Sequence, residues 1–123
     1  MALAYSMVVQ EKMVVVSFKG VMDRSSAPTL EQCTKEILDA SPRGVLLNMG
    51  GVENIKSEAY RPFALLGKSL KSARVHYRYV AFGSQLKSFL IADGLLAYPE
   101  VKDTLEIGLR DLMDSIAAGA YKA

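Results

Sequence analysis

The sequence predicts an α/β fold: a mixed, mostly parallel sheet of four to five strands, with an antiparallel strand at the N-terminus and about four helices. Three observations predict it. Two strand-like stretches open the chain and are joined only by Glu11-Lys12, a connection that allows nothing but an antiparallel pair. Strand-like and helix-like periodicities then alternate, the order of a sheet built by parallel crossovers. The chain has 123 residues, 50% hydrophobic and 23% charged, which is ordinary globular composition and enough for a core without staples.

Tyr5, Met7 and Val9 alternate with Ser6, Val8 and Gln10 as a first strand. Met13 to Lys19 is the second, and Gly20-Val21-Met22-Asp23 ends it. Ser25-Ser26 offers a helix cap, with Pro28 in the first turn, where its missing N–H costs little. Leu30, Cys33, Thr34, Ile37 and Leu38 then recur at helical spacing until Ser41-Pro42-Arg43-Gly44 stops the helix. Val45 to Met49 is a third strand, parallel to the second. Phe63, Leu66, Leu70 and Ala73 mark one face of a second helix, and Val75 to Phe82 a fourth strand. Gly83-Ser84 opens a third helix carrying Leu86, Phe89 and Leu90, ended by Asp93-Gly94. Leu95 to Tyr98 is expected as a short fifth strand, stopped by Pro99. Asp103-Thr104-Leu105-Glu106 reads as a capping box led by Asp103, before a last helix on Leu105, Leu109, Leu112, Met113 and Ile116. One domain is expected over residues 1–116, with 117–123 as a frayed tail.

The stretch from Val45 to Ala59 is the most informative. An apolar strand ends at Asn48, Gly50-Gly51 turns the chain, and a polar loop delivers Ser57 just ahead of a helix. Two polar groups would then share the sheet edge beyond the strand ends, where sites form in open α/β sheets. Pro62 conflicts with a regular helix capped by Ser57, because its absent N–H falls past the free first turn. A late or distorted helix start is expected. On residues alone, Ser57 reads first as a cap or exposed loop serine, while Asn48 reads equally as a group satisfying loop backbone and Asp23 equally as a turn residue.

Several function classes find no support. The net charge of +2 comes without the concentrated basic surface of nucleic-acid binders. No apolar run approaches the roughly 20 residues of a membrane span, and residues 1–10 lack the pattern of a signal peptide. A single cysteine forms no internal disulfide and fits a reducing, cytoplasmic setting. There is no P-loop, dinucleotide fingerprint or HExxH motif. Lone His76 offers no metal cluster, and Cys33 on an apolar helix face reads as an inert buried thiol. Arg74, His76 and Arg78 read as a solvated strand start, Tyr77 and Tyr79 as core aromatics. No cofactor, metal or catalytic residue is expected.

Order and motifs together resemble the STAS domain, the fold of bacterial anti-sigma-factor antagonists and sulfate-transporter tails. Gly20-Val21-Met22-Asp23 is similar to the family's Gly-x-Leu-Asp. Leu46-Leu47-Asn48-Met49-Gly50-Gly51-Val52 resembles the strand before its phosphorylation loop, with Asn48 where the family carries Asp or Asn. Asp93-Gly94-Leu95 and Asp103-Thr104-Leu105-Glu106 resemble its glycine-leucine segment and last helix start. In that family the loop reads Asp-Ser-Ser/Thr-Gly, and its first serine accepts phosphate from a kinase that is itself the anti-sigma factor. Aligned on Ile55, that serine is Ser57; Lys56 replaces Asp, Glu58 replaces Ser or Thr, and Ala59 replaces Gly.

The resemblance implies a non-enzymatic interaction module. Ser57 would be the phosphoacceptor. Asp23, Asn48, Lys56, Glu58 and Ala59 would face a kinase-like anti-sigma factor or another signalling protein, with the chain as monomer or weak dimer. Lys56 would favour a phosphate on Ser57; Glu58 would oppose it, either as a partial mimic of the phosphorylated state or as an ordinary first-turn acid. A constitutive scaffold, or an accessory subunit of a lipid-transport ATPase, is the alternative the loop changes favour. A small-ligand or nucleotide binder using the sheet edge is a third.

Overall fold

The computed structural model describes residues 2–119. Strands β1 (Ala4–Gln10) and β2 (Met13–Met22) form an antiparallel hairpin, with Gln10 opposite Met13. Glu11 and Lys12 carry φ of 50° and 70°, the left-handed pair that lets a two-residue turn follow the twist of its strands. A single 3-10 turn, Arg24–Ser26, leads into α1 (Ala27–Asp39), and β3 (Gly44–Ile55) follows. A second 3-10 turn, Ser57–Ala59, enters α2 (Tyr60–Ser72), which crosses to β4 (His76–Val80). Then come α3 (Ser84–Ala92), a 3-10 turn at Tyr98–Glu100, β5 (Val101–Lys102) and α4 (Leu105–Ala117).

The five strands lie in sequence order, β1 antiparallel and the rest parallel. Each crossover therefore steps the same way along the sheet, and right-handed connections put α1 and α2 on one face. Val14, Val16 and Phe18 of β2, Val45, Leu47 and Met49 of β3, and Tyr77 and Tyr79 of β4 join Leu30, Cys33, Ile37, Phe63, Leu66 and Leu70 in one core. The intervening residues face the other way. There Leu46 and Val80 meet Leu112 of α4, with Val15 and Ile116 at the margin. This helix spans β3, β4 and β5 and leaves the β1–β2 face open, where Val8 is 62% exposed.

Strand β3 departs most from expectation. It does not turn at Gly50-Gly51 but runs on to Ile55 beside β2. The register slips twice, between Ser17/Lys19 and between Gly20/Val21, so β3 carries an extra residue at each place, the two-against-one pattern of a bulge. Gly51 makes the first possible: a Cβ there would lie 2.6 Å from the Phe18 carbonyl oxygen. The Asn48 side chain completes it, accepting from the Gly50 N–H at 3.0 Å.

Other expectations are corrected in the same terms. The fifth strand is Val101–Lys102, paired with Tyr79 and Val80, not Leu95 to Tyr98. The Leu95 and Leu96 amides instead return to the Leu90 carbonyl at 2.9 and 3.3 Å, so Leu96 is buried by a turn. Thr104, not Asp103, caps α4: its hydroxyl accepts from the Ile107 N–H at 3.2 Å, while Asp103 pairs with Lys87 at 3.1 Å. Ser26 stands at the start of α1 but makes no cap bond there. β4 stops at Val80 because Ala81 takes a φ of 66°. Phe89, Leu105, Leu109 and Met113 are exposed, Phe89 by 58%, so α3 and α4 each bury a narrower stripe than their periodicity predicts, and Ala73 is exposed at the end of α2. Arg78 and His76 do not form a solvated strand start but lie half-buried beneath α4. After Ala117 a turn follows; residues 120–123 of the expected tail lie outside the described residues.

Candidate partner-facing site

Strands β2 and β3 end side by side, Met22 opposite Ile55, and each passes straight into a 3-10 turn. The Lys56 N–H donates to the Met22 carbonyl at 2.9 Å, carrying the pairing one step past the sheet, and the two turns pack together. This brings Asp23, Lys56 and Ser57 to one corner.

Asp23 is held by its own turn. Its carboxylate accepts from the Ser25 N–H at 2.9 Å and the Ser25 hydroxyl at 2.6 Å. The buried Ser26 hydroxyl accepts from the Asp23 N–H at 2.9 Å, closing a reciprocal cap. The Ser25 bonds are the main cause that holds the Asp23 carboxyl below its ordinary range, and the Lys56 charge adds to them. Asp23 therefore stays anionic and fixed in direction.

Lys56, Ser57 and Glu58 are exposed in the second turn, whereas Ala59 is fully buried. Ala59 therefore does not face a partner, contrary to its expected place on the binding surface. The cap role open to Ser57 on sequence is not realised, because Lys56 stands at the cap of the turn and Ala59 at that of α2. The expected late start is present: α2 proper begins at Tyr60, which places Pro62 at its third residue, inside the turn whose N–H groups are free anyway. Tyr60, at the head of α2, donates its hydroxyl to Asp93 Oδ2 at 3.2 Å. That bond ties the end of α3 to the same corner, and burial followed by this bond pushes the phenol pKa up.

Asn48 is not in this corner. It precedes Ile55 by seven residues of β3, roughly 20 Å at strand rise, and its amide is engaged with Gly50 and with Ser17 at 3.4 Å. It lines a separate shallow cleft of about 540 Å³ on the open β1–β3 face, beside Ser6, Ser17, Lys19 and Glu53.

The sequence offers Ser25 only as a helix cap, and it does not point to Tyr60. An Asp-x-Ser turn could have signalled Ser25; nothing local signals that Tyr60 reaches Asp93. Chemically, the corner offers an exposed hydroxyl, hydrogen-bonded to no base among the described residues and flanked by Lys56 and Glu58. It suits receiving a group from an external catalyst, since an activated nucleophile needs a base within hydrogen-bond reach. Among the described residues no group of His, Cys, Asp and Glu could hold a metal ion, and no helix is long and apolar enough to cross a membrane.

The model of the STAS domain family matches residues 4–107. No curated protein matches the sequence. Among solved structures, the fold is similar to an anti-sigma factor antagonist from Mycobacterium paratuberculosis, with TM-score 0.78 and 23% identity over 92% of this chain and 96% of that one. It is similar to a sulfate transporter family protein from Wolinella succinogenes, with TM-score 0.77 and 16% identity over 89% and 92%. It is also similar to the Bacillus cell fate determinant SpoIIAA in its phosphorylated form, with TM-score 0.65 and 14% identity over 92% and 99%.

Proposed function

The chain belongs to the STAS domain family, and from that premise we propose that it is a non-enzymatic regulatory module whose paired turns bind a kinase-like anti-sigma factor or a comparable signalling protein. Ser57 is the phosphate acceptor in this reading. The observation that carries it is the placement of Ser57: exposed, at neither cap position, and beside the anchored Asp23 turn. Phosphate there adds nearly two negative charges and three acceptor oxygens. Lys56 attracts that charge, while Asp23 and Glu58 repel it, so phosphorylation changes the sign balance of the corner without needing the fold to move. A single buried free thiol supports a reducing, cytoplasmic setting, with the chain as monomer or weak dimer.

The test is incubation with candidate partner kinases and ATP, comparing the wild type with Ser57→Ala. Phosphate uptake unchanged by the substitution removes Ser57 from the mechanism.

A second reading rests on a specific observation. The residues around Ser57 differ from the family's loop at Lys56, Glu58 and Ala59, and Ala59 is locked in the core. These favour a constitutive scaffold, or an accessory subunit of a transport ATPase, with no phosphoswitch. Affinity purification followed by mass analysis separates the two: a kinase-like partner supports the first, a transporter ATPase the second.

A further inference from the structure

A second polar place lies beneath α2, away from the paired turns. Tyr79 of β4 is 3% exposed, its ring packed against Phe63, Tyr77 and Phe82. Its hydroxyl reaches the surface of α2 at Gly67, where a Cβ would stand 3.0 Å from it. It makes no hydrogen bond among the described residues, and since no enclosed side-chain oxygen there is left without a partner, the hydroxyl tip is open to the cleft. Burial, then the charge of Glu100, push its pKa up, so it remains a neutral O–H donor facing the cleft. That cleft holds about 210 Å³ between α2 and the chain joining α3 to β5.

The other polar groups of the cleft are arranged around Glu100. The Tyr77 hydroxyl donates to Glu100 Oε2 at 2.5 Å, Lys71 Nζ stands 3.7 Å from the same oxygen, and the Ala97 N–H donates to Oε1 at 3.3 Å. Glu100 is thus balanced by its neighbours and does not serve Tyr79. Lys68, exposed on the rim, makes no ion pair among the described residues.

We propose that this cleft binds a small oxyanion, a carboxylate or phosphate group, held between the Tyr79 hydroxyl and the Lys68 ammonium. A neutral donor and a cation line the same cleft, and an anionic acceptor makes the strong, charge-assisted form of both bonds. Glycine at position 67 keeps the way to the hydroxyl open. The volume lies below the roughly 300 Å³ at which sites for drug-sized ligands begin, so the ligand is a small anion and not a nucleotide. Lys71 contributes indirectly, by offsetting the Glu100 charge that would otherwise repel the anion.

The test is an NMR titration of the isotope-labelled full chain with succinate and, separately, inorganic phosphate, at ionic strength held constant with chloride. One saturable site is expected, with shifts centred on the amides of Gly67 and Tyr79; the anion that saturates first identifies the carboxylate or the phosphate source. Tyr79→Phe should weaken binding about tenfold, the worth of one hydrogen bond to a charged group, with a spectrum otherwise like wild type because the hydroxyl makes no hydrogen bond among the described residues. Lys68→Gln, on the surface, should weaken binding without touching the core. Unsaturated shifts spread over surface lysines with both anions would overturn the proposal. So would unaltered affinity in both variants.

Discussion

Arg78 of β4 donates from Nε to Asp111 Oδ2 of α4 at 2.6 Å, and the pair pins the last helix across the sheet. The same guanidinium donates from Nη1 to the Tyr77 carbonyl at 2.7 Å, and Lys102 stands 3.7 Å from the same carboxylate oxygen. The Arg78 side chain is 18% exposed and the Asp111 side chain 40%, so the pair is partly screened. The Arg78 hydrogen bond, then its charge and that of Lys102, hold the Asp111 carboxyl below its ordinary range. A depressed carboxyl stabilises the fold fully above the ordinary carboxylate range and loses that effect as pH falls through its folded value. Asp111→Asn should therefore cost about 1 kcal/mol at neutral pH, a figure discounted for the exposure of the carboxylate. Urea unfolding at neutral and strongly acidic pH checks this. The gap between wild type and variant should close in acid; a gap that persists there would show that packing, not charge, holds the helix.

The helix is held as closely a turn earlier. A Cβ on Gly108 would lie 2.2 Å from Val80 Cγ1 and 3.3 Å from Leu46 Cδ1. Alanine is the better helix former by about 1 kcal/mol, yet overpacking against a rigid sheet costs typically 1–3 kcal/mol. Gly108→Ala should destabilise by up to about 2 kcal/mol net. Val80→Ala in the same chain should recover part of the loss, a coupling read from a double-mutant cycle of denaturant melts. Stabilisation by Gly108→Ala alone would contradict the close approach.

How much of this was legible in the sequence depended on how local the deciding contacts are. The face of α1 was readable because Leu30, Cys33 and Ile37 repeat at the period that burial on one side imposes. The order of strands and helices followed for the same reason. The continuation of β3 was not readable: Gly50-Gly51 signals a turn as well as a bulge, and only the approach of the Phe18 carbonyl to Gly51 decides between them. β5 is two residues whose pairing is set by Tyr79 and Val80, so its own sequence carries almost no signal. In the candidate site Asp23 and Ser57 could each be named from motifs. Their meeting depends on the register that sets Met22 against Ile55. That register also carries Asn48 away from them.

Cys33 provides a reporter of the main core. It is fully buried, and burial, then the charge of Glu36, push the thiol up to about 12. The thiolate is the reactive form, so the native protein should resist alkylation at mildly alkaline pH. Labelling should follow opening of the core, with a rate that rises through the urea transition alongside loss of circular dichroism. Rapid stoichiometric labelling under native conditions would show that α1 opens independently of the sheet.

The flanks of Ser57 make the phosphoswitch and the scaffold readings quantitatively separable. Ser57 is exposed and stands at neither cap position, and exposed substitutions away from such features usually change stability by less than about 0.5 kcal/mol. Ser57→Ala should therefore melt like wild type, which makes any loss of phosphate uptake a matter of chemistry. Glu58 and Lys56 are exposed neighbours of opposite sign, so each acts on an incoming phosphoryl group through solvent. A unit charge about 4 Å away through water is worth about 1 kcal/mol, or about fivefold, at low salt. If Ser57 is the acceptor, Glu58→Gln should raise the initial rate of phosphate incorporation severalfold, and Lys56→Gln should lower it by a similar factor. Both effects should shrink as salt is added, because the charges are exposed and screened. If the chain is a constitutive scaffold, no partner kinase labels Ser57, and both variants retain the partner unchanged in pull-down. Labelling that is indifferent to both charges and to salt would place the acceptor elsewhere on the chain.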